Sequence, residues 1–243
     1  MTDLREIYSD PIAELAAAAR RLAELGFVAS HGGNLSFRVA PGIVLITPTK
    51  VPKRLMQPDD IVAIDDAGKT LSAVGDRRPT GETPMHLRLF AKRPDLNALV
   101  HAHPPVLTGF ALAEDSILER PLLPEPILEI GPILPVAYAE PISDALAAAF
   151  DAVVMRSNAW LMKNHGMTLG SSEGIARAVD FLEMAEAMAQ SVVVARTLGR
   201  AVREIPRAEV ENLERTLASR RMPRPGSPTC IHSLIDLYWP ETE

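Results

Sequence analysis

The chain is poor in cysteine: Cys230 stands alone among 243 residues. No intramolecular disulfide can form, so a reducing compartment is compatible with the sequence. Positive charge is also scarce, with 25 Lys and Arg against 31 Asp and Glu for a formal net charge of −6. No basic field is present of the kind that holds nucleic acid or an anionic membrane surface. The arginines between Arg196 and Arg224 alternate with Glu204, Glu209, Glu211 and Glu214, which reads as a solvated helical face. No run reaches the ~18 apolar residues that a membrane span needs. The N-terminus is charged and lacks the apolar core of a signal peptide. Internal repeats and low-complexity linkers are absent as well. These absences predict a soluble cytoplasmic protein without nucleic-acid or membrane partners.

The hydrophobic content of 47% is enough for one sizeable core. Asp10-Pro11 followed by Ile12, Leu15, Ala16, Ala19, Leu22 and Leu25 predicts a helix, with Asp10 as its N-cap and Gly26 as its stop. A glycine-rich loop at 30–34 follows. Strands are expected at 35–39 and 43–47 around the Pro41-Gly42 turn, and at 61–64 before a turn at 66–68. A helix is predicted over 83–91, a strand over 96–103, and a helix from Pro105 to about Ala113. Six prolines between Pro121 and Pro141 exclude a long helix and suggest a loop flanking a strand at 133–136. Helix at 143–150, strands at 158–163 and 167–169, a long apolar-faced helix at 172–198 and a further helix at 206–218 complete the reading. Helices and strands mix along the whole length, so the expectation is a single α/β domain over residues 1–243.

The chemistry-bearing residues are histidines. His101 and His103 end an apolar, β-prone run, and residues i and i+2 of a strand share a face. A third, His165, ends another such run in Lys163-Asn164-His165-Gly166. Three imidazoles with an open fourth position make a catalytic metal site, with zinc the first candidate ion. Manganese, cobalt and iron accept the same ligands. The sequence by itself does not bring His165 to the pair, and a lone histidine at a strand end is ordinarily a surface or satisfied polar group.

Five segments in order sharpen this: Gly32-Gly33-Asn34-Leu35-Ser36-Phe37-Arg38, Ile46-Thr47-Pro48-Thr49, Pro79-Thr80-Gly81-Glu82-Thr83-Pro84-Met85-His86, and the two histidine segments. In order and spacing they resemble the class II aldolase/adducin family, from about residue 10 to about residue 200. The resemblance implies a three-layer α/β/α fold on a mostly antiparallel sheet, and a homotetramer with active sites near subunit boundaries. It implies that His101, His103 and His165 bind the metal and that Glu82 is the catalytic acid/base. A glutamate at a helix start is also what the helix dipole favours without any catalytic role. The family's substrate phosphate is held by a loop that matches Gly33 and Asn34, completed by positions that match Thr49, Lys50, Thr80 and Gly81.

The departures are informative. His31, Lys50 and Gly81 stand where the family typically has threonine, glycine and serine. Two hydroxyl donors are thus absent, and two cationic anion binders, His31 and Lys50, take their neighbourhood. Glu125 falls near the place of a tyrosine that protonates the leaving aldehyde, with Tyr138 and Tyr238 as candidate substitutes. The resemblance therefore implies a metal-dependent aldolase that cleaves a C–C bond of a ketose phosphate or similar hydroxy-keto compound through a metal-stabilised enediolate. A decarboxylase of a keto-acid phosphate or a hydroxyaromatic acid fits the same residues and needs no donor to an aldehyde. A non-catalytic module of the adducin kind would not need to keep the three histidines and the acid.

Overall fold

The computed structural model describes residues 3–240. A short helix α1 (Leu4–Ile7) leads into α2 (Ser9–Glu24). Then follow β1 (Asn34–Ala40), β2 (Ile43–Ile46), β3 (Val62–Ile64) and β4 (Thr70–Ser72), helix α3 (Thr83–Lys92), strand β5 (Ala98–Ala102) and helix α4 (Pro105–Ala113). The second half holds α5 (Pro124–Glu129), β6 (Ile133–Val136), α6 (Asp144–Ala149), β7 (Ala159–Met162), β8 (Gly166–Ser171), α7 (Ile175–Thr197), α8 (Arg207–Arg220) and α9 (Leu234–Tyr238). The strands form one sheet in the order β4-β3-β2-β1-β5-β8-β7-β6, and every pair except β6–β7 is antiparallel.

The two-residue period of the strands divides the core into layers. Leu45, Ala98, Val100 and Leu169 point to one face, where they pack with Leu15 and Leu22 of α2, Leu107 of α4 and Leu182 of α7. Val44, Ile46, Leu99 and Trp160 point to the other, against Met85 and Leu89 of α3 and Leu146 of α6. The expected three-layer α/β/α arrangement on a mostly antiparallel sheet is what the chain adopts. A third apolar cluster joins α5, α8 and α9 through Ile127, Leu217 and Leu234. Among the described residues, no helix is long and apolar enough to cross a membrane.

Several local expectations need correction. Asp10 lies inside the first turn of α2, and Tyr8 is the residue at its N-cap, with no side-chain cap bond. Gly26 does stop this helix, at φ +74°. The proline-rich stretch contains a short helix, α5, because Pro124 and Pro126 sit in its first turn, where a missing N–H costs nothing. Strand β4 is polar and mostly exposed, and so carried no apolar signal. The long helix starts at Ile175 behind Gly174, whose φ of +98° and hydrogen bond to the Asn97 side chain (3.0 Å) replace an ordinary cap. Ser143 caps α6, accepting from the Leu146 N–H. Helix α4 has no cap of its own. The buried Glu186 of α7 accepts the Val106 and Leu107 N–H groups, both at 2.9 Å, and so anchors the chain just beyond His103.

Candidate metal centre and active site

The site grows out of the middle of the sheet. β5 pairs with β1 on one side and β8 on the other, and the register sets Asn34 and Thr168 on either side of His101. β5 ends at Ala102, so His103 lies one residue beyond the strand rather than within it. It keeps to the same side as His101, and their Nε2 atoms are 3.2 Å apart. His165 enters from the tight turn between β7 and β8, with Asn164 at φ +54°. The three rings stand 4.8 to 5.5 Å apart, centroid to centroid. One nitrogen from each lies within 4.8 Å of the others, the only such group of three among the described residues.

Two glycines make this convergence possible. A Cβ on Gly166 would fall 2.5 Å from His103 Cδ2 and 2.6 Å from the Ala102 carbonyl oxygen. A Cβ on Gly33 would fall 2.8 Å from the His101 carbonyl oxygen, and its φ of +69° is left-handed.

The three imidazoles suit a divalent ion. Two nitrogens bound tetrahedrally at 2.0–2.1 Å are separated by about 3.3 Å, close to the His101–His103 spacing. His101 Nδ1 donates to the Met167 carbonyl (3.0 Å), which leaves its Nε2 as the lone-pair nitrogen that faces the cluster. His165 Nδ1 is buried without a hydrogen-bond partner. Burial is the first cause holding all three rings below the ordinary histidine pKa. For His101 the neighbouring histidines add to it, and for His103 and His165 Glu82 works against it. Neutral imidazole is the ligand form.

Glu82, at the start of α3, is 7% exposed. Its carboxylate oxygens lie 3.5 Å from His101 Nε2 and 3.6 Å from His165 Nε2. With those rings neutral, these are close approaches rather than ion pairs. The same carboxylate accepts a hydrogen bond from the Asn34 amide at 2.7 Å.

One cavity of about 320 Å³ is lined by the three histidines, Glu82 and all seven residues expected to hold the substrate. His101, His103, His165, Glu82 and Asn34 form its interior wall. His31 and Gly33 come from the loop after α2, Thr49 and Lys50 from the chain after β2, and Thr80 and Gly81 from the approach to α3. These last two stretches are held side by side by the Thr80 N–H to Thr47 carbonyl (3.1 Å) and Thr49 N–H to Arg78 carbonyl (3.0 Å) bonds. Lys50 and His31 are exposed at the mouth. Glu125 is exposed on α5, and neither Tyr138 nor Tyr238 is among the residues lining the cavity.

Sequence reasoning missed four contributors. Lys53 is buried, donates to the His31 carbonyl at 3.1 Å and so ties down the loop, and burial lowers its pKa to about 8. Ile142 lines the cavity with φ +64°, and its side chain occupies the space beside Gly81 where a Cβ would meet it at 2.9 Å. No residue pattern announces either one. His86 and Ser36 lie behind Asn34. Glu82 and His86 are four residues apart at a helix start, and that spacing was a usable signal.

Comparison with known proteins agrees with this geometry. Residues 13–193 match the family described as Class II Aldolase and Adducin N-terminal domain. The chain is 32% identical over 203 residues to 5-deoxy-D-ribulose 1-phosphate aldolase of Bacillus thuringiensis serovar kurstaki, covering 82% of this chain and 92% of that protein. It is 27% identical over 200 residues to 3-oxo-tetronate 4-phosphate decarboxylase of Haemophilus influenzae, covering 80% and 91%. A solved structure of L-fuculose 1-phosphate aldolase superposes with a TM-score of 0.75 at 25% identity, covering 86% of this chain and 97% of that one. Fold, matched span and relatives agree, and the chain belongs to the class II aldolase/adducin family.

Proposed function

We propose that this chain, as one class II aldolase-like domain over residues 1–243, is a metal-dependent lyase that cleaves a C–C bond of a ketose phosphate or a similar hydroxy-keto compound. One observation carries the reading: a buried carboxylate, Glu82, lies within 3.6 Å of two of three converging neutral imidazoles, on the wall of an open cavity. His101, His103 and His165 would hold a divalent ion, zinc or else manganese, cobalt or iron, which would supply Lewis-acid stabilisation of the developing negative charge. Glu82 moves the proton at the carbon from which that bond departs, giving it in cleavage and taking it back in condensation. Asn34 holds the carboxylate with one amide hydrogen and has a second for a substrate oxygen. His31, Gly33, Thr49, Lys50, Thr80 and Gly81 surround the rest of the substrate, with the Lys50 ammonium and a His31 ring N–H suited to its anionic end. The aldolase relatives support this assignment. Exposed Val193 and Val194 on α7 and Leu198 just past its end support a homotetramer, and the single free thiol suits the cytoplasm.

A second reading, a decarboxylase of a keto-acid phosphate or a hydroxyaromatic acid, is favoured by one feature. Glu125 rather than a tyrosine falls near the position expected to handle the proton of the aldehyde-forming hydroxyl, a proton that decarboxylation does not involve. The deciding assay is solvent deuterium exchange at the hydroxymethyl carbon of dihydroxyacetone phosphate, with aldol cleavage followed alongside. Wild-type protein should exchange, and Glu82→Gln should slow exchange by roughly 10²–10⁴-fold while retaining metal. Absence of exchange in wild type, with CO2 released from a β-keto acid phosphate, would move the assignment to the decarboxylase.

A further inference from the structure

Behind Glu82 and Asn34 lie two further buried polar groups, His86 and Ser36, that do not line the cavity. His86 lies one turn along α3 from Glu82 and is 0% exposed, as is Ser36 of β1. The Ser36 hydroxyl is 2.7 Å from His86 Nδ1, and His86 Nε2 is hydrogen-bonded to Asn34 Oδ1. The Asn34 amide nitrogen in turn donates to Glu82 Oε2 at 2.7 Å.

We propose that His86 is a positioning residue whose Nε2–H fixes the orientation of the Asn34 amide, and through it the Glu82 carboxylate. The inference rests on Glu82 being the acid/base of the proposed reaction. The direction of each link follows from the one before. An ionised carboxylate only accepts, so Asn34 must face it with nitrogen. The amide oxygen then faces His86 and must receive a hydrogen, which places the ring proton on Nε2. Nδ1 is left with its lone pair and accepts from Ser36. Burial keeps the ring neutral, pushing its pKa down to about 4, so one tautomer serves across the physiological range. A flipped Asn34 would set its oxygen against the carboxylate and its NH2 against the Nε2–H, two mismatches at once. The rest of the inward face of α3 is apolar, with Met85, Leu89 and Phe90 in the core, so packing alone asks for no imidazole at 86. His86 is not among the residues that line the cavity, and so it acts through Asn34 rather than on substrate.

The test uses the whole chain, two variants at His86, and Glu82→Gln. His86→Phe keeps the ring shape and removes the donor. His86→Gln offers an NH2 to Asn34 and an oxygen to Ser36. The first readout is independent of activity: long-range 1H–15N spectra of metal-free wild type should show His86 as the Nε2–H tautomer between pH 6 and 8. The second is deuterium exchange into dihydroxyacetone phosphate by the metal-loaded enzymes. In His86→Phe, kcat should fall by roughly 10- to 100-fold, the range seen when a partner behind an active group is lost. KM should move less than about threefold and metal content should hold, while His86→Gln should recover most of kcat. An Nδ1–H or doubly protonated His86 would overturn the proposal. So would wild-type kcat in His86→Phe alongside an inactive Glu82→Gln, an outcome that leaves the reaction assignment standing. Full activity of Glu82→Gln would instead remove the reaction assignment, and the tautomer spectrum would still judge the hydrogen-bond chain. Should His86→Phe fail to fold, the spectrum and the Gln variant decide.

Discussion

Gly166→Ala tests whether the close crossing of β5 and β8 sets the geometry of the histidine cluster. The backbone at this position is ordinary strand, so alanine brings no torsional penalty, and the whole effect is steric. Its Cβ would sit 2.5 Å from His103 Cδ2 and 2.6 Å from the Ala102 carbonyl oxygen. Ordinary contact between carbons begins near 3.5 Å, so the His103 ring has to retreat by about 1 Å. The carbonyl belongs to β5 and moves only if the strand moves. Overpacking of this kind costs about 1–3 kcal/mol, which for a chain of this size lowers Tm by roughly 2–12 °C. A ligand displaced by about 1 Å should weaken metal binding by at least 10-fold, comparable with the loss of an outer hydrogen-bond partner. Competition against a chromophoric chelator reads the affinity, and a thermal scan of the metal-free protein reads the stability. Gly109→Ala is the matched control, because a Cβ there meets nothing within 4 Å and the site is in helix α4. It should leave metal affinity unchanged and raise stability by about 0.5–1 kcal/mol. Wild-type affinity and Tm in Gly166→Ala would refute the argument.

Three further outcomes are expected. Loading with zinc to 100-fold over Kd should stabilise the protein by about 2.7 kcal/mol, and His101→Ala should abolish that shift in a thermal scan while leaving circular dichroism unchanged. Arg93, 0% exposed, donates to Asp95, the Asn158 side chain and the carbonyls of Val154, Ser157 and Gly226. Arg93→Met strands those acceptors and should cost about 3–5 kcal/mol in a urea titration. Stability of the metal-free protein should fall with acid, because His86 has a folded pKa of about 4 against its ordinary 6.5. Between those values the unfolded chain holds the extra proton, so each pH unit downward removes up to about 1.4 kcal/mol for this group, levelling off below the folded value. His101, His103 and His165 add slopes of the same sign, so the difference between wild type and His86→Gln isolates the His86 share; equal slopes would contradict it.

Much of the molecule was legible before any coordinates. The alternation of Val44, Leu45 and Ile46, or of Ala98, Leu99 and Val100, is a two-period pattern that assigns side chains to opposite layers. The i, i+2 spacing of His101 and His103 survives even though the second residue lies past the strand, because the chain stays extended up to Pro104. What the sequence could not show was adjacency across the sheet: nothing local to His165 says that β8 will lie beside β5. It also hid contacts that depend on tertiary packing. Lys53 looks like any surface lysine until α2 and the loop at His31 close over it, and Glu186 looks like a solvated residue of a long helix until the first turn of α4 arrives with two unpaired N–H groups. Asp10 failed as a cap because Ser9, before it, already belongs to the helix.

The register that sets His101 beside Thr168 joins positions 67 residues apart, and the Asn34–Glu82 bond spans another 48. Such a centre has no local precursor. Closing loops of this length comes before the contacts that reward it, so the cluster is expected to assemble late on the folding path. A nascent chain halted before Gly166 carries all three imidazoles but lacks the β8 backbone that orients His101. An ion bound only by the finished arrangement therefore acts on escape from the native state: it should slow unfolding and leave the folding rate almost untouched. If the ion binds as proposed, the centre would double as a latch on the protein's lifetime, and a cell short of the ion would lose the protein to turnover as well as to inactivity.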